Sequence, residues 1–201
     1  MPLNRPNRKI IVLDFETTGL DEFQCSNVSC AALDVEHPDE QDMFNRRCRM
    51  WVGAEIGSGS LERNRFNFEQ ITDRRLITDE QLMDCYMYWA KNHPIIDGQV
   101  PIFDTRFANA ALHAYGNPFM FYSGENLQDY FNEHRKNRGV QEMKYPNLTT
   151  IGDYCGLPIE EEAHTARIDV LLTSECFSRF WDGKNLIKRY KDYSIPIYLK
   201  K

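Results

Sequence analysis

Apolar and polar positions alternate along the chain with periods that switch between strand and helix. Lys9-Ile10-Ile11-Val12-Leu13-Asp14-Phe15-Glu16 contains consecutive apolar, largely β-branched residues and predicts a strand buried on both faces, central in a sheet. Thr17-Thr18-Gly19-Leu20 ends that strand with turn chemistry. A second strand is predicted over residues 27–35, with the polar segment 37–41 as a hairpin-like connection to a third over 43–52, where Phe44, Cys48 and Met50 alternate with Arg47 and Arg49. The spacing of Leu82, Met83, Tyr86, Trp89 and Ala90 predicts a helix over 79–93, capped by Thr78 or Asp79, with Pro94 just beyond its end. Short apolar runs predict strands over 100–103 and 119–122. Helices are predicted through Phe107 to Tyr115, closed by Gly116, then over 125–138, 147–154 and 165–181. Strands followed by alternating helix and strand give an α/β fold with a mixed sheet. Residues 1–181 read as one domain and 182–201 as a C-terminal tail.

Composition changes this picture little. The 42% hydrophobic and 27% charged residues are those of an ordinary globular protein. No apolar stretch reaches the roughly 18 residues that span a bilayer, and the basic N-terminus runs straight into a strand rather than reading as a signal peptide. The expectation is a soluble intracellular, cytoplasmic protein with no membrane association. Six cysteines form no CxxC pair and no zinc spacing with histidine, so they read as reduced thiols. The net charge of −6 argues against nucleic acid at first sight. That objection weakens if several acids are metal ligands, because bound divalent ions would put positive charge where phosphate must sit.

Three features carry chemistry. Asp14 and Glu16 are two apart on a strand, so both carboxylates point to one face at its carboxyl end, where open α/β sheets bind ligands. Alone they read more readily as solvated acids at a strand end. Phe103-Asp104 follows a predicted strand and precedes a helix; Asp104 reads either as the N-cap of a helix beginning at Thr105 or as a ligand beside Asp14. In Ala163-His164-Thr165-Ala166-Arg167-Ile168-Asp169, His164 and Asp169 could not share a face if both were helical, being about 140° apart. The better arrangement puts His164 in the loop before the last helix and Asp169 in its second turn; capping histidine and helix-face acid remain the plain alternatives.

Taken in order, these motifs resemble the DEDDh exonuclease family, which includes proofreading exonuclease subunits and RNase T-like enzymes. The resemblance spans roughly residues 8–181 and rests on IVLDFETTGLD (11–21), VPIFDTRFANAAL (100–112) and LPIEEEAHTARIDVLL (157–172), with FEQITDRRLIT (68–78) similar to the segment before the family's middle helix. It implies a ribonuclease H-like, mixed five-stranded sheet flanked by helices. It further implies that Asp14, Glu16, Asp104 and Asp169 hold two Mg²⁺ or Mn²⁺ ions, with Asp14 bridging, and that His164 is the general base. Phe15, Thr17, Thr18, Gly19, Leu20 and Phe107 would receive the terminal nucleotide, Leu20 wedging against its base. The implied activity is 3′→5′ hydrolysis of mainly single-stranded DNA in replication or repair. An exoribonuclease, or a catalytically silent module that binds nucleic acid or assembles with a polymerase, are the alternatives. The implied partners are single-stranded 3′ ends, with a polymerase or a second copy of the chain as candidates. Val100 stands where the family often has asparagine, and Arg167 where it often has an apolar residue; Arg167 is read as a phosphate ligand or a solvated helix residue. The basic stretches 134–138 and 184–191 suit nucleic acid or a partner, or else packing on the domain itself.

Overall fold

The computed structural model describes residues 3–159 and 165–201. The first apolar run forms β1 (Ile11–Thr17), followed by β2 (Asn27–Asp34) and β3 (Phe44–Arg47). Short helices α1 (Ser60–Arg63) and α2 (Phe68–Thr72) lead to α3 (Asp79–Ala90), then β4 (Ile95–Gly98), α4 (Pro101–Ala114) and β5 (Tyr122–Asn126). Among the described residues, helices α5 (Leu127–Asn137), α6 (Leu148–Tyr154) and α7 (Ala166–Asp182) follow, before two 3₁₀ turns, Lys188–Tyr190 and Ile197–Leu199. The sheet has five strands in the order β3-β2-β1-β4-β5. The β1–β2 and β2–β3 pairs are antiparallel, while β1–β4 and β4–β5 are parallel. It is the expected ribonuclease H-like mixed sheet.

Two stretches expected as strands are displaced. Residues 100–103 are not a strand. Pro101 occupies the first position of α4, where its missing N–H and fixed φ suit a helix start, and the strand before it is β4 at Ile95–Gly98. The last strand is Tyr122–Asn126 rather than 119–122, and it pairs with β4 through Ile95↔Tyr122 and Ile96↔Ser123. The third strand is also shorter than expected, ending at Arg47, although Cys48 still bridges to Ile77.

Strand alternation decides what lies on each face of β1. Ile11, Leu13 and Phe15 enter an apolar cluster with Leu82, Tyr86 and Phe107 of α3 and α4. Ile10 and Val12 enter the opposite cluster, with Leu171 and Phe177 of α7. Asp14 and Glu16 continue the Val12 row and therefore face the helix that carries Asp169. The tail lies against this same side, with Ile187, Tyr190 and Leu199 buried beside Trp181. None of the described helices is long and apolar enough to cross a membrane.

Candidate metal centre

Asp14, Glu16 and Asp169 each offer a carboxylate oxygen within 4.8 Å of the others. Two sit at the end of β1, and the third comes from the first turn of α7, which packs across β1 and β2. Asp104 arrives from the opposite side of β1. Because β1 pairs with β4 only at Val12↔Asp97, and β4 ends at Gly98, the N–H of Phe15 has no strand partner on that edge. It donates instead to Asp104 Oδ1 at 3.0 Å. The aspartate is thereby tied to the backbone between Asp14 and Glu16. A register shift between Glu16 and Thr17, after which Thr17 pairs with Asn27, marks an irregularity of the kind common beside functional sites.

Burial and mutual repulsion dominate the electrostatics. Desolvation first, then the charges of Asp104, Glu16 and Asp169, holds the Asp14 carboxyl well above the usual carboxylate range. Glu16 is pushed up to about 8 by burial and by Asp169 and Asp104. Asp104 rises to about 7 through burial, opposed by its backbone hydrogen bonds. Such a set is costly as bare anions and suits a hard divalent cation, since every donor is oxygen. The convergence of Asp14, Glu16 and Asp169 gives a donor set whose chemistry fits a divalent cation.

A cavity of about 440 Å³ opens beside the acids, lined by Glu16, Thr17, Gly19, Leu20 and Phe103 on one side and by Gly57, Ser60, Arg63 and Asn64 on the other. The turn after β1 is fastened to this second wall. Asn64 Nδ2 donates to Thr17 O at 2.9 Å, while Gly57 N and Ser60 Oγ donate to Thr18 O at 2.7 Å each. Thr18 Oγ1 donates to Glu55 O at 2.6 Å. Leu20 is 74% exposed at the rim. Phe15 also lines this cavity, and its side chain packs into the core cluster behind it. Phe107, expected beside the base, is also a core residue, 1% exposed; the ring that lines the cavity with Leu20 is Phe103, packed on Phe107 at 4.8 Å. The contribution of residues 55–64 was not visible in the sequence, where they appear only as a glycine-containing loop.

Comparison with solved structures places this architecture. The cell-death related nuclease CRN-4 matches with a TM-score of 0.67 at 18% identity, over 85% of this chain and 62% of that one. The nuclease domain of 3′hExo, a DEDDh family member solved bound to rAMP, matches with a TM-score of 0.64 at 14% identity, over 94% and 96% of the two chains. E. coli Exonuclease I in complex with a dA16 oligonucleotide matches with a TM-score of 0.61 at 15% identity, over 83% of this chain and 39% of that one. The fold is that of the DEDDh exonucleases. The chain thus spans about three fifths of CRN-4 and a smaller share of Exonuclease I. No protein-family model and no curated protein matches the sequence.

Within this DEDDh exonuclease fold, His164 lies outside the described residues, whereas Thr165 and Asp169 bracket the start of α7. Arg167 pairs with Glu40 in the β2–β3 connection at 2.9 Å. The basic stretch 134–138 is knitted into the tail: His134 contacts Tyr154 Oη and Tyr198 O, and the Arg138 guanidinium stacks 4.0 Å from the Tyr198 ring.

Proposed function

We propose that this chain is a metal-dependent 3′→5′ exonuclease that releases nucleoside monophosphates from the 3′ ends of mainly single-stranded DNA. The observation that carries the reading is the convergence of Asp14, Glu16 and Asp169 within 4.8 Å, with Asp104 anchored alongside, at the edge of a cavity rimmed by Leu20 and Phe103. In this reading Asp14, Glu16, Asp104 and Asp169 would hold two Mg²⁺ or Mn²⁺ ions. The bound ions supply Lewis acidity at the scissile phosphate and acidify water. The chain's own groups do the rest. Asp104 keeps the end of β1 in place through the Phe15 N–H. The turn 17–20 seats the terminal sugar and base, with Leu20 separating that base from its neighbour. His164 takes a proton from the attacking water, as an imidazole with a near-neutral pKa can. Contacts to sugar ends and base faces read little sequence.

The test uses 3′- and 5′-labelled single-stranded DNA and RNA with Mg²⁺, Mn²⁺ or EDTA. Expected is a ladder shortening from the 3′ end, lost in EDTA and in Asp14→Ala. His164→Ala is expected to keep binding while losing about 10²–10⁴-fold in rate. Full activity of Asp14→Ala would refute the metal assignment. The RNA arm addresses the second reading, an exoribonuclease, which is favoured by the likeness to a nuclease domain solved with rAMP. Binding without any shortening would instead point to a silent module.

A further inference from the structure

Behind the turn that carries Leu20 lies a second cavity of about 300 Å³, at the small end of the roughly 300–1,000 Å³ typical of ligand sites. It opens between the first turn of α3 and the later turns of α4, and its lining is mostly apolar. Trp51, Phe107 and Tyr115 give it aromatic surface, and Phe23 adds an exposed ring.

One charge interrupts this lining. Asp79 is 4% exposed, and burial lifts its carboxyl to about 6, which leaves it largely ionised above pH 7. Buried carboxylates are ordinarily paired with a cation or held by several donors. Among the described residues Asp79 has neither. Its Oδ1 accepts from Asn27 Nδ2 at 3.0 Å, and no cation faces it. Its Oδ2 accepts no hydrogen bond, yet it is not sealed in as Asn27 Oδ1 is. The open space beside Asp79 is the cavity. Helix capping does not account for this burial. Thr78 caps α3 by accepting from Gln81 N, and the neighbouring Glu80 supplies a first-turn acid while staying in solvent.

The other acid of the lining, Glu22, is engaged by Arg106 in an ion pair. What remains for a guest is one carboxylate oxygen among aromatic rings. A hard metal ion takes six or more oxygen donors and would find too few here. A neutral apolar guest would leave the buried charge uncompensated. An organic ammonium suits both parts of the wall. Its N–H groups can donate to Asp79 Oδ2 in a charge-assisted bond, while the rings attract its charge and cover its apolar body.

We propose that the cavity between Trp51, Tyr115 and Asp79 is a binding site for a small organic cation, a primary ammonium carried on an aromatic body. The assignment rests on the cavity and its carboxylate and does not need the nuclease reading.

The experiment is a calorimetric titration of 2-phenylethylammonium chloride into the protein at pH 8 in EDTA, with 2-phenylethanol as the neutral probe of the same shape. Saturable binding of one ammonium per chain is expected, at least about tenfold tighter than the alcohol. It should persist in Asp14→Ala; loss there would place the amine on the acidic cluster and overturn the proposal. Asp79→Asn can still accept from Asn27 through its carbonyl oxygen, but it offers the guest an N–H in place of an anion. The variant should erase the preference for ammonium over alcohol. Because it removes a buried charge, it should melt no lower than the parent at pH 8, so its result stands whether or not a bulkier variant folds. Ala110→Phe fills the cavity from α4 and should weaken ammonium and alcohol alike. The proposal is also overturned by absence of saturable binding, by equal affinity for the alcohol, or by a preference that survives in Asp79→Asn. Hydrolysis plays no part in the titration, so failure of the exonuclease reading would leave its outcome interpretable.

Discussion

A methyl group built on Gly19 would meet Cys25 Sγ at 2.4 Å and Gly57 N at 3.3 Å. The turn after β1 closes against those two groups, and closure is what aims Leu20 outward. Gly19→Ala must therefore shift either the thiol or the turn, at an expected cost of about 1–3 kcal/mol as for other overpacked sites. Cys25→Ala in the same chain should recover much of that loss, because it removes the nearer obstacle. Thermal denaturation of the two single variants and the double variant checks this; strictly additive effects would show that the contact does not govern the turn. The same scale shows what spacing can and cannot reveal. Asp14 and Glu16 are readable as a pair because a strand repeats every two residues. Phe103 and Phe107 are four apart on α4 and share a face, with rings 4.8 Å apart. Only depth distinguishes them: Phe103 lines the open cavity and Phe107 is in the core, and depth is not written in the period.

Helix α7 joins the acidic site to the tail. Its first turn supplies Asp169, and later in the helix Glu175 and Arg179 form an i,i+4 ion pair at 2.8 Å in which both side chains are 0% exposed. Glu175 also accepts from Leu186 N and Ile187 N at 2.8 Å each, while Arg179 donates to Cys155 O, Asn185 Oδ1 and Tyr193 O. The pair thus satisfies the backbone of the chain beyond Gly183. Arg179→Leu should cost about 3–5 kcal/mol, because it leaves Glu175 buried and uncompensated. The loss should appear as a lower denaturation midpoint and as proteolytic cleavage between residues 183 and 201; a tail that stays protected would refute the clamp. Element boundaries were legible where capping chemistry announced them, as at Thr78 and Gln81 of α3, which form a reciprocal capping box. They were misplaced where an apolar run masked a stronger local rule. Pro101 within Val100-Pro101-Ile102-Phe103 already argued for a helix start over a strand interior. Tyr122–Asn126 is a polar, half-exposed edge strand with no alternating pattern to mark it, and its register comes from β4. The wall from Glu55 to Asn64 depends on chain crossing and has no local signature.

At the scale of the whole molecule, a net charge of −6 coexists with a fold whose solved neighbours include one bound to an oligonucleotide. Several of this chain's acids are buried, and their burial yields a pH dependence of definite sign. In the unfolded chain Asp and Glu titrate near about 4. Folding raises Glu16 to about 8 and Asp104 to about 7, chiefly by burial, and raises Asp14 in the same direction. Asp79, lifted to about 6 by burial, adds to the trend. Across this window the folded protein holds more protons than the unfolded one, so stability is greatest below about 4 for these groups and is lost as pH rises toward 8. In EDTA the melting temperature should therefore fall between pH 6 and 8.5. Each kcal/mol lost is about 2–4 °C for a chain of this size. Divalent cations compete with the same protons, so their affinity should rise with pH and saturating Mg²⁺ or Mn²⁺ should flatten the decline. Glu16→Gln, lacking one titrating acid, should show a shallower slope in EDTA and a smaller response to cation. A melting temperature indifferent to pH in EDTA, or an equal cation response in Glu16→Gln, would mean that the acids at the end of β1 do not act as one coupled site.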